Sequence, residues 1–332
     1  MKIECLNERH GNGWAMYHAD TVSLAKQLPS NSVDFSVYSP PFANLYTYSD
    51  SALDMGNCAD DAEFFKHYAF LIRESFRIMK PTRLVAVHCK DLVDYAGADG
   101  RAGLRDFPGD ITRAFESCNN DCTGCGAMGQ PGPFCVLCGG KVIVRPGFKR
   151  HSRVTIWKCP VTEMQRTKAH GLLYRTLRTD ASFTRQGLSE YLLVFRKWPT
   201  SDEEKEAAVK ITHDPKDFPL DQWQEWASPV WTTIDQTNVI NVQAAREDKD
   251  EKHMCPLQLD LIERALVLWS NRGDVTWSPF GGVGSEGVVA LQKGRKFIGA
   301  ELKDSYWRSA CANLAAAEPE AVGQQCTMFA DL

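Results

Sequence analysis

Asp274-Val275-Thr276-Trp277-Ser278-Pro279-Phe280-Gly281-Gly282-Val283-Gly284-Ser285-Glu286-Gly287 is the stretch that decides the fold of this chain. It opens as a short strand, turns through glycines and enters an apolar helix carrying Val288, Val289 and Leu291. A second strand follows at Lys296-Phe297-Ile298-Gly299-Ala300-Glu301. Strand, turn, helix, strand and an acid about twenty residues past the glycines are the arrangement of a nucleoside-cofactor site. The glycines let the backbone approach the ligand, the helix N-terminus faces its charged end, and Glu301 can accept both ribose hydroxyls. No Gly-Lys-Ser/Thr follows the turn, which disfavours a phosphate-gripping loop.

More than two hundred residues upstream, Ser39-Pro40-Pro41-Phe42 follows the alternating run Val33-Asp34-Phe35-Ser36-Val37-Tyr38, which predicts a strand. Two prolines stop that strand, and an aromatic ring comes at once. A hydroxyl, a rigid pair of carbonyls and a ring face can grip a flat heterocycle carrying an amino group. Phe42 would stack on it, while Ser39 and the Pro40 carbonyl would accept its N–H bonds. Alone, the tetrapeptide is equally an ordinary loop; the downstream motif tips the balance.

Together these residues resemble the DNA amino-methyltransferases, which move a methyl group from S-adenosylmethionine to an exocyclic base nitrogen. That family carries an Asp/Asn/Ser-Pro-Pro-aromatic motif on its catalytic strand and an Asp-Pro-Phe-x-Gly-Ser-Gly-like motif on its cofactor strand. The catalytic motif comes first here, which is similar to the β class. The resemblance implies an α/β fold: a circularly permuted Rossmann-like sheet with helices on both faces, plus a zinc-ribbon and target-recognition insert. His18-Ala19-Asp20 is similar to the family's opening, Tyr191–Lys197 to the strand closing its catalytic half, and Glu251–Gln258 to the segment before its cofactor helix. By this resemblance Asp20, Ser278, Phe280, Gly281, Gly282, Gly284, Ser285 and Glu301 hold S-adenosylmethionine, and Ser39, Pro40, Pro41 and Phe42 are catalytic. The sequence departs from the family at Ser278, where aspartate is usual, and at Val283 and Ser285.

An exocyclic amine on cytosine or adenine is a poor nucleophile, because its lone pair is delocalised into the ring. Acceptors at Ser39 and Pro40 would favour a pyramidal nitrogen, and alignment with the methyl sulfonium does most of the remaining work. Methylation of a ring carbon would need a cysteine presented after proline, and none of the 12 cysteines follows one. A target inside double-stranded DNA must be flipped out; Phe42 is the face for it, with Tyr46 and Tyr48 as pocket or packing residues. Serine at the motif's first position favours cytosine N4 over adenine N6. A non-catalytic zinc-ribbon DNA-binding protein with a decayed methylase domain, and methylation of RNA or of a modified base, stay open.

Cys122-Thr123-Gly124-Cys125, nine residues, then Cys135-Val136-Leu137-Cys138 is a pair of Cys-x2-Cys knuckles. Such turns place four thiolates around a structural zinc, and the glycines after Cys125 and Cys138 permit the tight backbone. Iron–sulfur ligation and unliganded thiols are the alternatives; Cys118 is not counted as a ligand. From Lys141 to Lys197 thirteen Lys/Arg face only Glu163, Asp180 and Glu190, although the whole chain carries net charge -4. This asymmetry predicts either phosphate contacts or a solvated basic face. Lys149, Arg150 and Arg153 lead the phosphate candidates, and Arg175, Arg178, Arg185 and His170 could meet bases or phosphates.

Hydrophobic residues at 43% and charged residues at 24% are those of an ordinary globular protein, with neither a secretion signal nor a membrane-spanning run, which predicts a cytoplasmic location. Residues 1–105 read as the catalytic half, with a helix over 61–79 closed by Lys80-Pro81 and a strand over 83–89. Residues 106–150 read as the metal-bound insert, 151–250 as the return to the sheet and target recognition, 251–317 as the cofactor half and 318–332 as a tail. Trp223, Trp226 and Trp231 read as core before base-stacking residues. Monomer and homodimer are equally compatible with the chain.

Overall fold

The protein is represented by a computed structural model that describes residues 3–42, 54–95, 97, 100–166, 172–241 and 256–318. Thirteen strands run in chain order through these residues. The first six are β1 (Asn7–Gly11), β2 (Trp14–His18), β3 (Val33–Tyr38), β4 (Met79–Lys90), β5 (Leu92–Asp94) and β6 (Gly103–Arg105). Then come β7 (Asp121–Cys122), β8 (Val142–Ile143), β9 (Lys149–Ile156), β10 (Glu190–Arg196), β11 (Val230–Trp231), β12 (Val275–Ser278) and β13 (Lys296–Glu301). One sheet has the order β1-β2-β13-β12-β3-β4-β10-β9-β11. Its centre, β2 to β4, is parallel, while β10 runs antiparallel to both β4 and β9.

Parallel strands need crossovers, and the two central ones go opposite ways. The Asp61–Ile78 helix carries the chain from β3 to β4, and the Ser285–Gln292 helix carries it from β12 to β13. They lie on opposite faces: Phe64, Tyr68, Leu71 and Ile72 pack in one core cluster, Val288, Val289, Ala290 and Leu291 in the other. The strand order therefore switches between β3 and β12, where open α/β sheets form their ligand crevice.

The Asp61–Ile78 helix forms because its apolar residues recur every three or four positions and its start is capped. Asp60 accepts the Glu63 N–H at 2.8 Å, and Glu63 reaches back to the Ala59 N–H at 2.7 Å. It ends one residue earlier than expected, and β4 begins at Met79 rather than Arg83. The strand absorbs Pro81 through a register shift against β3 and a positive φ at Thr82 (69°).

At the opposite edge from the switch-point crevice, Arg83 is almost fully buried between Asp34 (3.3 Å) and Asp274 (3.1 Å), with Lys80 on Asp34 at 2.9 Å. This ion cluster ties β3, β4 and β12 together. The Phe107–Glu116 helix, assigned by sequence to the metal-bound insert, instead packs Phe107, Ile111 and Phe115 into the main core. Within residues 106–150 the β7–β8 ribbon stands outside it, with its own small cluster of Cys122, Cys135 and Val142. Of the three tryptophans, Trp231 is buried and Trp223 is 49% exposed. No helix among the described residues is long and apolar enough to cross a membrane.

Candidate active site and metal centre

β3 and β12 are hydrogen-bonded neighbours, with Trp277 opposite Ser36 and the Ser36 hydroxyl donating to the Trp277 carbonyl at 2.8 Å. Their carboxyl ends therefore release Ser39-Pro40-Pro41-Phe42 and Pro279-Phe280-Gly281-Gly282 side by side. The rings of Tyr38 and Phe280 meet at 5.7 Å. Two motifs more than two hundred residues apart in sequence share one crevice.

On the cofactor side, the Gly281 N–H donates to the Ala300 carbonyl at 2.7 Å, and the Gly282 N–H donates to Glu301 Oε2 at 2.8 Å. Gly284 caps the Ser285–Gln292 helix with φ 89°, a conformation that favours glycine, and a Cβ there would press on Ala310 at 3.3 Å. Ser285 is buried in the helix's first turn. Glu301 also accepts the Lys303 N–H at 2.9 Å, leaving each carboxylate oxygen a further lone pair. Burial raises its carboxyl to about 7 against the pull of the Lys303 and Gly282 N–H groups. Burial likewise raises Glu286 to about 8. Asp20 follows β2, whose His18 pairs with Glu301, and its Oδ1 caps the Thr21–Gln27 helix at Ser23. Ser278 is fully buried, and its hydroxyl has no hydrogen-bond partner among the described residues. A glycine turn at a helix start, a phenylalanine and a carboxylate with spare acceptor capacity fit a nucleoside bearing ribose hydroxyls.

On the β3 side, Pro40 is buried, and Ser39, Pro41 and Phe42 are half-buried. Phe42 sits edge-on to Phe107 at 6.0 Å, with Lys90 Nζ 6.0 Å from its ring centre. Ser39 Oγ lies 3.3 Å from His88 Nδ1 and 3.4 Å from the His88 carbonyl. His88 Nε2 is 3.1 Å from Glu190 Oε2, and Lys158 Nζ is 2.6 Å from that oxygen. Sequence reasoning missed these three residues as a group. Glu190 and Lys158 entered it only as charges, and His88 ends the apolar run Leu84-Val85-Ala86-Val87 without a motif to mark it. Tyr46, Tyr48, Lys168, His170 and residues 251–255 lie outside the described residues.

The sulfurs of Cys122, Cys125, Cys135 and Cys138 all lie within 4.8 Å of one another, the nearest pairs at 3.4 and 3.6 Å. Four thiolates at ~2.3 Å from a central zinc would stand about 3.8 Å apart, so the donor set fits a tetrahedral ion. The two knuckles are built alike. Gly126 and Gly139 take φ 72° and 70°, and their N–H groups donate to the Cys122 and Cys135 carbonyls at 3.1 and 2.9 Å. Backbone N–H groups of Gly124, Cys125, Leu137 and Gly140 point at the sulfurs. Cys118 is buried in the main core, apart from this group.

The basic stretch is only partly available to a polyanion. Lys158 is buried against Glu190, and Lys197 is buried against Asn31 and the Met79 carbonyl. Lys149 pairs with Glu116 and Arg185 with Glu163. Arg153, an exposed residue of β9, stacks on Tyr191 at 3.8 Å. Arg150, Arg175 and Arg178 are exposed, and Arg178 also lies 5.6 Å from the Tyr174 ring.

Comparison with known proteins gives consistent relatives. The sequence model of a family described as DNA methylase, acting at N6 or N4, matches residues 33–312. The type II methyltransferase M.BglII of Bacillus subtilis is 23% identical over 306 residues, 88% of this chain and 66% of that protein. The chain thus spans just under two thirds of this relative, and its matches to the DNA adenine methyltransferase YhdJ of Escherichia coli and to M.MthZI of Methanothermobacter thermautotrophicus cover 59 and 120 residues. Among solved structures, the DNA modification methylase TTHA0409 of Thermus thermophilus, complexed with S-adenosyl-L-methionine, aligns with a TM-score of 0.59 at 19% identity, covering 92% of this chain and 96% of that one. The cytosine-N4-specific PvuII DNA methyltransferase aligns with a TM-score of 0.55 at 16% identity, covering 92% and 90%. Both likenesses are of fold.

Proposed function

The chain belongs to the N6/N4 DNA methylase family, and from that premise we propose that it transfers a methyl group from S-adenosylmethionine to the exocyclic amine of a base flipped out of double-stranded DNA, with cytosine N4 the favoured target. The observation that carries this reading is the adjacency of β3 and β12, which brings the loops Ser39–Phe42 and Pro279–Gly282 to one crevice. When bound, S-adenosylmethionine supplies an electrophilic methyl group. Glu301 would accept its ribose hydroxyls, Phe280 and Asp20 would flank its adenine, and the Gly281–Gly284 turn would admit its backbone-facing end. Ser39 and the Pro40 carbonyl would hold the target N–H bonds, and Phe42 would stack on the base.

Serine at position 39 is the feature that favours cytosine N4; adenine N6 methylation uses the same machinery. PvuII methyltransferase, a cytosine-N4 enzyme by its description, shares the fold. In this reading Cys122, Cys125, Cys135 and Cys138 hold a structural zinc that stiffens the ribbon. Its closed four-sulfur set leaves no open position for catalysis. Arg150, Arg153, Arg175 and Arg178 are the phosphate contacts best placed by exposure.

Incubating the purified protein with mixed-sequence DNA and labelled S-adenosylmethionine, then analysing nucleosides by mass spectrometry, tests the proposal. N4-methylcytosine is the expected product. N6-methyladenine corrects the base and keeps the mechanism, whereas no methylated nucleoside overturns the activity.

A further inference from the structure

Methylating an amine leaves its nitrogen with one hydrogen too many, and something must take that proton. We propose that Ser39, His88 and Glu190 form a hydrogen-bonded relay that receives it, with Ser39 touching the amine and His88 as the acceptor behind it. The inference rests on the amino-methyltransferase reading above and assigns the proton's route within it.

The geometry sets the direction of the relay. Glu190 stands on β10, diagonally across from His88 on β4, where Leu192 is His88's direct partner. Burial alone would raise the Glu190 carboxyl, but the hydrogen bond and charge of His88 and the Lys158 ammonium outweigh it and hold it at about 2. An ionised carboxylate only accepts hydrogen bonds, so the 3.1 Å contact requires His88 Nε2 to carry the hydrogen. In the neutral ring Nδ1 then keeps its lone pair, 3.3 Å from Ser39 Oγ. The Ser39 hydrogen can point to that lone pair or to the His88 carbonyl at 3.4 Å. In the first arrangement the Ser39 oxygen is free to accept from the substrate amine.

In the balanced step, the amine lone pair forms the N–C bond while the C–S bond breaks, its electron pair going to sulfur. The surplus proton passes to Ser39 Oγ as the Ser39 hydroxyl proton passes to His88 Nδ1. The resulting imidazolium sits against the Glu190 carboxylate, and solvent water takes the proton after product leaves. Ser39 is the catalytic residue; His88 and Glu190 are positioning residues that act through it. Among the described residues, the charged groups around this edge are Glu190 of β10, Arg153 of β9 and Lys158 past its end, Lys90 and Asp91 following His88 on its own segment, and Asp106 before the Phe107–Glu116 helix.

Two readouts test the relay, one needing no turnover. In cofactor-free protein labelled with 15N-histidine, with His88→Asn assigning the signal, the ring at mildly alkaline pH should be the Nε2–H tautomer. An Nδ1–H tautomer overturns the relay. In single-turnover methylation, His88→Asn should lose roughly 10²-fold or more in rate with unchanged cofactor affinity, and its pH–rate profile should differ in shape from the wild type's. Wild-type rate and pH profile in that variant would sink the relay alone. A wild type that binds cofactor but methylates no nucleoside removes the enzyme reading, and the relay's task with it.

Discussion

Glu301 organises the fold around it, and in the proposed function the same side chain holds the ligand. Its carboxylate organises the glycine turn through the Gly282 N–H, and it sits beside Glu286, which burial raises to about 8. Ribose hydroxyls donate best to an ionised acceptor, so the bound state should favour the deprotonated form. Affinity for S-adenosylmethionine should therefore rise with pH through about 7 and level off above. Glu286 titrates in the same region, so the slope is best read by calorimetry in a Glu286→Gln background. Glu301→Gln in that background should cost roughly tenfold or more in affinity and flatten the pH dependence. A Glu301→Gln variant that keeps the wild-type slope removes Glu301 from the ribose. In the cofactor-free protein both acids have folded values above that of an ordinary glutamate, so the unfolded chain gives up its protons first. Their contribution to stability accordingly falls as pH rises from about 4.5 towards 8.

At the scale of elements, the ribbon between β7 and β8 has too small a core to hold itself. Its apolar cluster is Cys122, Cys135 and Val142, with Ala127 against it. Arg73 of the Asp61–Ile78 helix anchors its base, bonding the Cys118 carbonyl at 3.1 Å and pairing with Asp121. A unit of this size would gain its stability from the zinc proposed for its four cysteines, as small domains do from a metal. The purified protein should contain about one zinc per chain. Replacing Cys135 and Cys138 together with serine should release it and weaken DNA binding, while S-adenosylmethionine binding persists because the crevice is built on the main sheet. Metal-free wild-type protein, by elemental analysis, would overturn the zinc assignment; equal loss of both ligands in the variant would show that the ribbon supports the sheet as well.

For the whole molecule, the decisive act is the joining of β3 to β12, and Arg83 is the residue that secures it. Its guanidinium neutralises Asp34 and Asp274 where neither reaches much water, and Asp34 further accepts the Val275 N–H at 3.0 Å. Arg83→Leu would leave two buried carboxylates with only Lys80 beside them. The expected loss is ~3–5 kcal/mol by urea unfolding near neutral pH. The loss should shrink under mild acid, where Asp274, its carboxyl raised by burial, takes up a proton and no longer needs a counter-charge. An equal loss at both pH values would argue against this electrostatic account. Much of the fold was legible in advance. Val33–Tyr38, Val275–Ser278 and Lys296–Glu301 are strands, and Ser285–Gln292 is a helix, since period, glycine and proline act locally. The paired knuckles were legible because ligand spacing is itself local. What local pattern could not reveal was which charges meet. Lys158 read as one more basic residue of a phosphate-facing stretch, yet it is buried on Glu190; the Phe107–Glu116 helix read as part of the insert, yet it packs in the core. By itself the sequence determined the elements, the two loops and the cysteine set, because those depend on neighbours a few residues apart. Only the tertiary structure decided that His88 stands behind Ser39 and Glu190 behind His88, because β-sheet pairing sets such contacts between residues 49 and 102 positions apart.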